Sequence, residues 1–244
     1  MLIEDMIVLG RGSPDKLRDG RETVCVAGYS EKLGFIRIFP TKITSPLKRW
    51  NIIQVEVDRD KRDTRNESWK IIGSKNEWNN LDEKIKVIGH VKPKDRKNIV
   101  VNKINNCVNT INNAKDSLGI VKPIISQVYF GKREYYNPYI QQSLMRSIKG
   151  EAPVKTKENY PEVPRIGYRC LNCIAKKGHD QQVIDWGFYE WLRKNPDKKE
   201  QVWENAKLVN NEKSDIYFLV GNQMVHRNSF MVISVLSMPK KNSS

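Results

Sequence analysis

The chain has 244 residues, 39% of them hydrophobic and 29% charged, and its 43 Lys and Arg against 28 Asp and Glu leave a formal charge of +15. Such an excess repels itself in a compact fold and points to a polyanion, nucleic acid above all, as the partner; the Asn- and Lys-rich run 102–113 makes genomic base composition the alternative source of the charge. No stretch approaches the ~20 consecutive apolar residues that span a bilayer, and no segment joins a basic polar face to an aromatic apolar one, so a membrane partner is not expected.

Residues 1–10 are apolar apart from Glu4 and Asp5 and read as a first strand rather than a signal peptide, because no basic segment precedes the apolar one. Glu22–Ala27 is short and β-branched. Phe35–Phe39 alternates, with Arg37 opposite Ile36 and Ile38, and Ile52–Val57 and Glu83–His90 repeat the alternation. Period-two patterns of this length predict half-buried antiparallel strands, and their spacing predicts a small barrel or sandwich. Over residues 98–118 the period changes: Val101, Ile104, Val108 and Ile111 fall at helical spacing, with Cys107 on the same side, and Gly119 and Pro123 close the helix. Val121–Phe130 is extended again. Tyr135, Tyr136 and Tyr139 around Pro138 then form an aromatic loop beside Lys132 and Arg133.

Residues 146–164 are polar, hold three prolines and show no periodicity, which predicts a linker. Beyond it come a strand over Ile166–Cys170, an extended Gln182–Trp186, two helices within Trp186–Leu208 broken at Asn195-Pro196, and two strong strands at Ile216–Gly221 and Phe230–Leu236. The expected organisation is a basic N-terminal domain over 1–145, the linker, and a C-terminal domain over 165–244. The fold class is mostly β (α+β), two small barrel-like halves with inserted helices.

Three groups of residues can carry chemistry. Cys170-x-x-Cys173 followed by His179 has the spacing of a tetrahedral zinc site, and His226, in the loop between the last two strands, is the expected fourth ligand. Asp180, Cys107 and Cys25 are the poorer candidates, the two cysteines looking like buried helix and strand positions. Four protein ligands would make the zinc structural. Four cysteines with one such pair suit a metal site in the cytoplasm, or at the nucleoid for a DNA binder, better than a disulfide framework.

The second group is basic and aromatic: Arg59, Lys61, Arg62 and Arg65 leading to Trp69, and Phe35, Arg37 and Phe39 leading to Lys42, Lys48, Arg49 and Trp50. Such residues on a small barrel bind phosphates and stack on bases, so Arg37, Lys48, Arg49, Arg59, Arg62, Arg65 and Trp69, with Lys132 and Arg133, are the expected nucleic-acid contacts. A solvated hairpin with local ion pairs is the plain alternative. The third group is acidic. Asp185 and Glu190 near His226 could hold a divalent ion in a nuclease or nucleic-acid-modifying enzyme. The stronger reading is that Asp185 caps the following helix and Glu190 sits in its first turn. Phosphate-binding, dinucleotide and nucleophile-elbow motifs are absent, which removes the large enzyme classes that carry them. A subunit that binds protein within a defence or mobile-element complex is the third functional class.

ETVCVAGYSEKLGFIRIFP with the Trp50–Trp69 pattern that follows, and YRCLNCIAKKGHDQQVIDW continuing to FLVGNQMVHRNSFMVISVL, resemble a group of uncharacterised prokaryotic dual OB-containing proteins, over roughly residues 20–75 and 165–239. The resemblance implies two OB-like barrels, one in each half, whose strand faces and loops commonly bind single-stranded nucleic acid. On that pattern Cys170, Cys173, His179, Asp185, Trp186 and His226 are the positions of interest in the C-terminal half. The expected function is therefore weakly sequence-specific DNA or RNA binding with a structural zinc.

Overall fold

The computed structural model describes residues 1–17, 19–133 and 160–240. The N-terminal part contains β1 (Leu2–Arg11), the short β2 (Asp15–Lys16), β3 (Glu22–Ser30), β4 (Gly34–Thr41), β5 (Asn51–Asp58), β6 (Ser68–Ile71) and β7 (Ile85–His90). β1 pairs antiparallel with both β3 and β5, β3 with β4, β4 in parallel with β6, and β6 with β5. The circuit β1-β3-β4-β6-β5-β1 is therefore a closed, five-stranded, OB-like barrel, with β7 added beside β5. Alternation decides which side chains fill it. Ile53, Val55 and Val57 of β5 point inward with Ile36 and Ile38 of β4 and Val24 and Val26 of β3, while Glu56 and Asp58 face solvent. Each such buried aliphatic contributes about 1.5–3 kcal/mol.

Next come α1 (Pro93–Val101), a two-residue strand β8 (Ile104–Asn105) and α2 (Val108–Asn113). The single helix expected over 98–118 is thus two short helices interrupted by a strand. The cause is local. The Asn105 side chain accepts the Ile120 amide at 3.0 Å, and Ile104 and Asn105 pair in parallel with Ile120 and Val121, an alternative that an asparagine-rich segment offers its own backbone.

The remaining strands are β9 (Leu118–Val121), β10 (Pro123–Lys132), β11 (Glu162–Cys170), β12 (His179–Gln182), β13 (Ser214–Asn222) and β14 (Phe230–Pro239), with α3 (Trp186–Lys194), a 3₁₀ turn over Pro196–Gln201 and α4 (Val202–Asn205) between β12 and β13. They form two sheets, β10-β11-β12 and β14-β13-β9-β8, neither of which closes on itself. A single parallel bridge, Val183 to Val232, links the end of the first sheet to β14. β9, on the N-terminal side of the expected linker, pairs with β13, near the far end of the chain. Of the linker itself, 146–159 lie outside the described residues, as do Tyr135, Tyr136 and Tyr139, and Glu162–Pro164 already belong to β11.

β13 and β14 read as unbroken apolar runs because both of their faces are covered. Phe218, Val220 and Val232 enter the core of the C-terminal half with Ile166, Tyr168, Phe188 and Trp203. Tyr217, Leu219 and Ile233 face the other way and pack with Leu9 and Ala27 of the barrel and Leu118 and Ile120 of β9. The outer face of β1 and β3 is therefore a buried interface between the halves. Gly10 permits it, since a Cβ there would run into the Ser234 side chain. No helix among the described residues is long and apolar enough to cross a membrane.

Candidate metal centre and basic rim

β11 ends on Cys170, a turn through Leu171 and Asn172 reaches Cys173, and β12 begins on His179 after Gly178, whose φ of 73° suits the glycine that closes the hairpin. The Leu171 amide donates to Lys122 O at 3.1 Å, which pins the turn to the junction of β9 and β10. The fourth member is Cys107, immediately before α2. Cys107 Sγ lies 3.6 Å from Cys173 Sγ and 3.3 Å from His179 Nε2, and Cys173 Sγ lies 3.4 Å from the same nitrogen. With Cys170, the ligand atoms of all four residues lie within 4.8 Å of one another. A tetrahedron with metal–sulfur bonds of about 2.3 Å and metal–nitrogen bonds of about 2.0 Å has edges of about 3.8 and 3.5 Å. The donor set and its spacing therefore fit one tetrahedral ion.

The electrostatics agree with the spacing. Burial opposes the Cys107 thiolate, yet the backbone at Asn109 and Ile174 and the Cys173 thiol outweigh it and hold Cys107 below the ordinary thiol range. Cys170 is pushed well up, first by burial and then by the negative charge of Cys107 and Cys173. Burial, and then the charge of Arg169, lowers His179 and keeps its imidazole neutral, the form that ligates. Crowded thiolates that disfavour one another without a cation are what a dication reconciles.

The expected quartet is thereby altered in one member: Cys107 takes the place assigned to His226. His226 lies exposed in the loop 223–229, outside the cluster. A cysteine at helical spacing among valines and isoleucines reads as core, which ranks Cys107 below His226 in the sequence. The only available hint was the high asparagine density around it, which argues against a continuous helix.

The acidic residues serve the fold. Asp185 Oδ1 accepts the Gly187 amide at 2.8 Å and caps α3, while Oδ2 accepts the Val235 amide at 2.9 Å and pairs with Arg49 Nη2 at 2.7 Å. Glu190 pairs with Arg193 at 2.9 Å. Among the described residues no grouping of Asp185, Glu190 and His226 can hold a metal.

The basic residues divide into those turned inward and those left in solvent. Arg37 is only 2% exposed and donates through Nη2 to Ser117 O at 3.0 Å. Its position opposite Ile36 and Ile38 looked solvent-facing, but the C-terminal half covers that side of β4, so no phosphate can reach it. Arg49 donates to Val235 O at 3.1 Å besides pairing with Asp185. Arg65 pairs with Asp63 and donates to Asn222 O at 2.8 Å. These three arginines tie the halves together. Arg59 lies 3.6 Å above the Trp69 ring and donates to Ser68 O, so one face of the only proposed stacking tryptophan is already occupied. Arg133 donates to Tyr160 O. Lys48, Lys61, Arg62 and Lys132 present their side chains to solvent, Arg62 while pairing with Asp60.

The loop 59–67 between β5 and β6 meets the loop 223–229 between β13 and β14. Arg227 Nη2 donates to Thr64 Oγ1 at 2.5 Å, and the Arg65 bond to Asn222 closes the junction. Together they form one rim that exposes Lys61 and Arg62 from one half and Met224, Val225 and His226 from the other.

Residues 3–102 match the family described as a domain of unknown function (DUF8758), and residues 97–244 match the family described as a domain of unknown function (DUF8757). No curated protein and no solved structure matches the chain.

Proposed function

The chain belongs to the DUF8757 family, whose match spans residues 97–244, and from that premise we propose that it is a nucleic-acid-binding protein held in shape by a structural zinc ion. The observation that carries this reading is the shared rim, in which the β5–β6 loop of the closed OB-like barrel and the β13–β14 loop join under a net charge of +15. The ligand is DNA or RNA, bound with little sequence preference, since exposed Lys and Arg read phosphates rather than bases. Lys48 and Lys132, exposed elsewhere on the surface, are further candidate phosphate contacts. Cys107, Cys170, Cys173 and His179 would hold the zinc, which would supply a rigid cross-link rather than chemistry, because protein fills all four positions.

The C-terminal half is read as a second OB-like barrel. Its support is the pairing order. β9 runs into β10 across Lys122; β10 pairs with β11, β11 with β12, Val183 bridges in parallel to β14, β14 pairs with β13, and β13 returns to β9. That circuit repeats the order of the first barrel, down to a parallel contact between its third and fifth strands. The α3–α4 region lies between the third and fourth. The chain then divides near residue 102, where the two family matches meet, rather than at 146–164. Cysteines held as zinc ligands, with no disulfide among the described residues, suit a reducing, cytoplasmic compartment.

Doubling Lys61→Ala with Arg62→Ala tests the rim. Titration of a fluorescent single-stranded oligonucleotide should show weaker binding, and the slope of log affinity against log salt should fall by about 1.4, two phosphate contacts at about 0.7 each. Unchanged affinity and slope would remove the rim from the interface.

A further inference from the structure

The metal-site hairpin carries a surface that its structural role does not use. Leu171 and Ile174, on either side of Cys173, are each 61% exposed. Arg169, Lys176 and Lys177 are exposed on the same hairpin, and the Arg169 guanidinium donates to Lys176 O at 3.0 Å, tying the strand end to the turn. Between Arg169 and His179 the sequence has no carboxylate. The nearest in sequence, Asp180, is engaged by Arg165 at 3.0 Å and by the Tyr129 hydroxyl at 2.6 Å. Among the described residues neither Lys176 nor Lys177 is in an ion pair.

α2 joins the metal-site hairpin to the loop of the basic rim. Cys107 enters the metal cluster immediately before α2, and near the other end of that helix Asn112 Nδ2 donates to Asn228 Oδ1, in the rim loop, at 3.2 Å. A six-residue helix is about 9 Å long at about 1.5 Å per residue, so the two surfaces lie within the reach of a few nucleotides. The α2 side chains Asn109, Thr110 and Asn113 that face solvent between them are polar and uncharged.

We infer that the Leu171–Lys177 turn is a second nucleic-acid contact, and that one single strand runs from it along α2 to the Lys61–Arg62 and Val225–His226 rim. The inference rests on the nucleic-acid-binding reading above. Unpaired bases offer flat apolar faces to Leu171 and Ile174, and the flanking phosphates meet Arg169, Lys176 and Lys177; a duplex keeps its bases stacked inside and offers the apolar pair nothing. A metal ion held by Cys107, Cys170, Cys173 and His179 would fix the turn in advance of binding and lower the ordering cost.

The test compares Lys176→Ala/Lys177→Ala and Leu171→Ser/Ile174→Ser with the wild type in the full chain, by titration of labelled single strands of 4 and 12 nucleotides over a salt series. Zinc content and thermal midpoint are measured on each variant to show that the cluster survives. The lysine variant should lose about 1.4 from the single-strand salt slope. Both variants should bind the 12-mer at least threefold more weakly and lose most of its advantage over the 4-mer. Unchanged affinity and slope in zinc-replete variants would overturn the inference, while Lys61→Ala/Arg62→Ala, if still impaired, would leave the broader reading standing. A wild type that binds no strand overturns both. An acidic amphipathic peptide that binds the wild type and not these variants, with oligonucleotide binding unaltered, would assign the turn to a protein partner instead.

Discussion

Cys170→Ser is expected to release the zinc and to lower the stability of the chain by about 3–5 kcal/mol, the loss typical of a structural cross-link or a broken buried network. The magnitude follows from what the cluster joins. Cys107 and Cys173 stand 66 positions apart, so the ion closes a long loop, fastening α2 to the β11–β12 hairpin. Cys107 is fully buried and Cys170 only 2% exposed, and without a cation burial pushes the Cys170 thiol up and disfavours its ligating thiolate. Serine removes a soft ligand and leaves a hydroxyl in its place. Metal analysis should give one zinc per chain in the wild type and well under half in the variant, with a lower urea midpoint; a chelator should bring the wild type to the same midpoint. His226→Ala should leave metal content and midpoint unaltered. Zinc well below one per chain in the wild type, or a Cys170→Ser protein as stable as the wild type, contradicts the site.

The second large effect belongs to Asp185. Its carboxylate caps α3 through Gly187, accepts the Val235 amide of β14 and pairs with Arg49 of the barrel, all while 4% exposed. Asp185→Ala would leave the buried Val235 amide without its acceptor and α3 without its cap, while Arg49, 35% exposed, keeps access to solvent, a loss of about 2–4 kcal/mol. Arg49→Ala should cost less, because the carboxylate keeps its two amide donors. The double variant should fall short of the sum, since each change removes the same contact. Urea unfolding of the four proteins reads this directly. An Asp185→Ala protein with wild-type stability would contradict the structural role assigned to that carboxylate.

Much of this was legible from sequence, and the exceptions share a cause. β5 announced itself because one face is wet: Ile53, Val55 and Val57 alternate with Gln54 and Glu56. β13 and β14 were legible for the opposite reason, as continuous runs buried on both faces. Cys170, Cys173 and His179 are neighbours in sequence, so their convergence could be read from spacing. Cys107 could not, because its approach depends on β8 and β9 joining the C-terminal sheet, a long-range pairing with no local signature. Arg37 failed for a related reason. Period two places it outside the barrel, and outside is where the other half packs. Asp185 was readable as a helix cap from its position before Trp186, whereas its bond to Arg49, 136 positions away, was not.

Binding of fluorescent single-stranded and duplex DNA and RNA across a salt series, with the same samples run on gels, tests the central claim most directly. The rim and the metal-site turn predict saturable binding of intact strands, tighter for single strands than for duplex, with log affinity falling linearly in log salt. No binding to any of the four at low salt, or cleavage that requires added divalent metal, would contradict it.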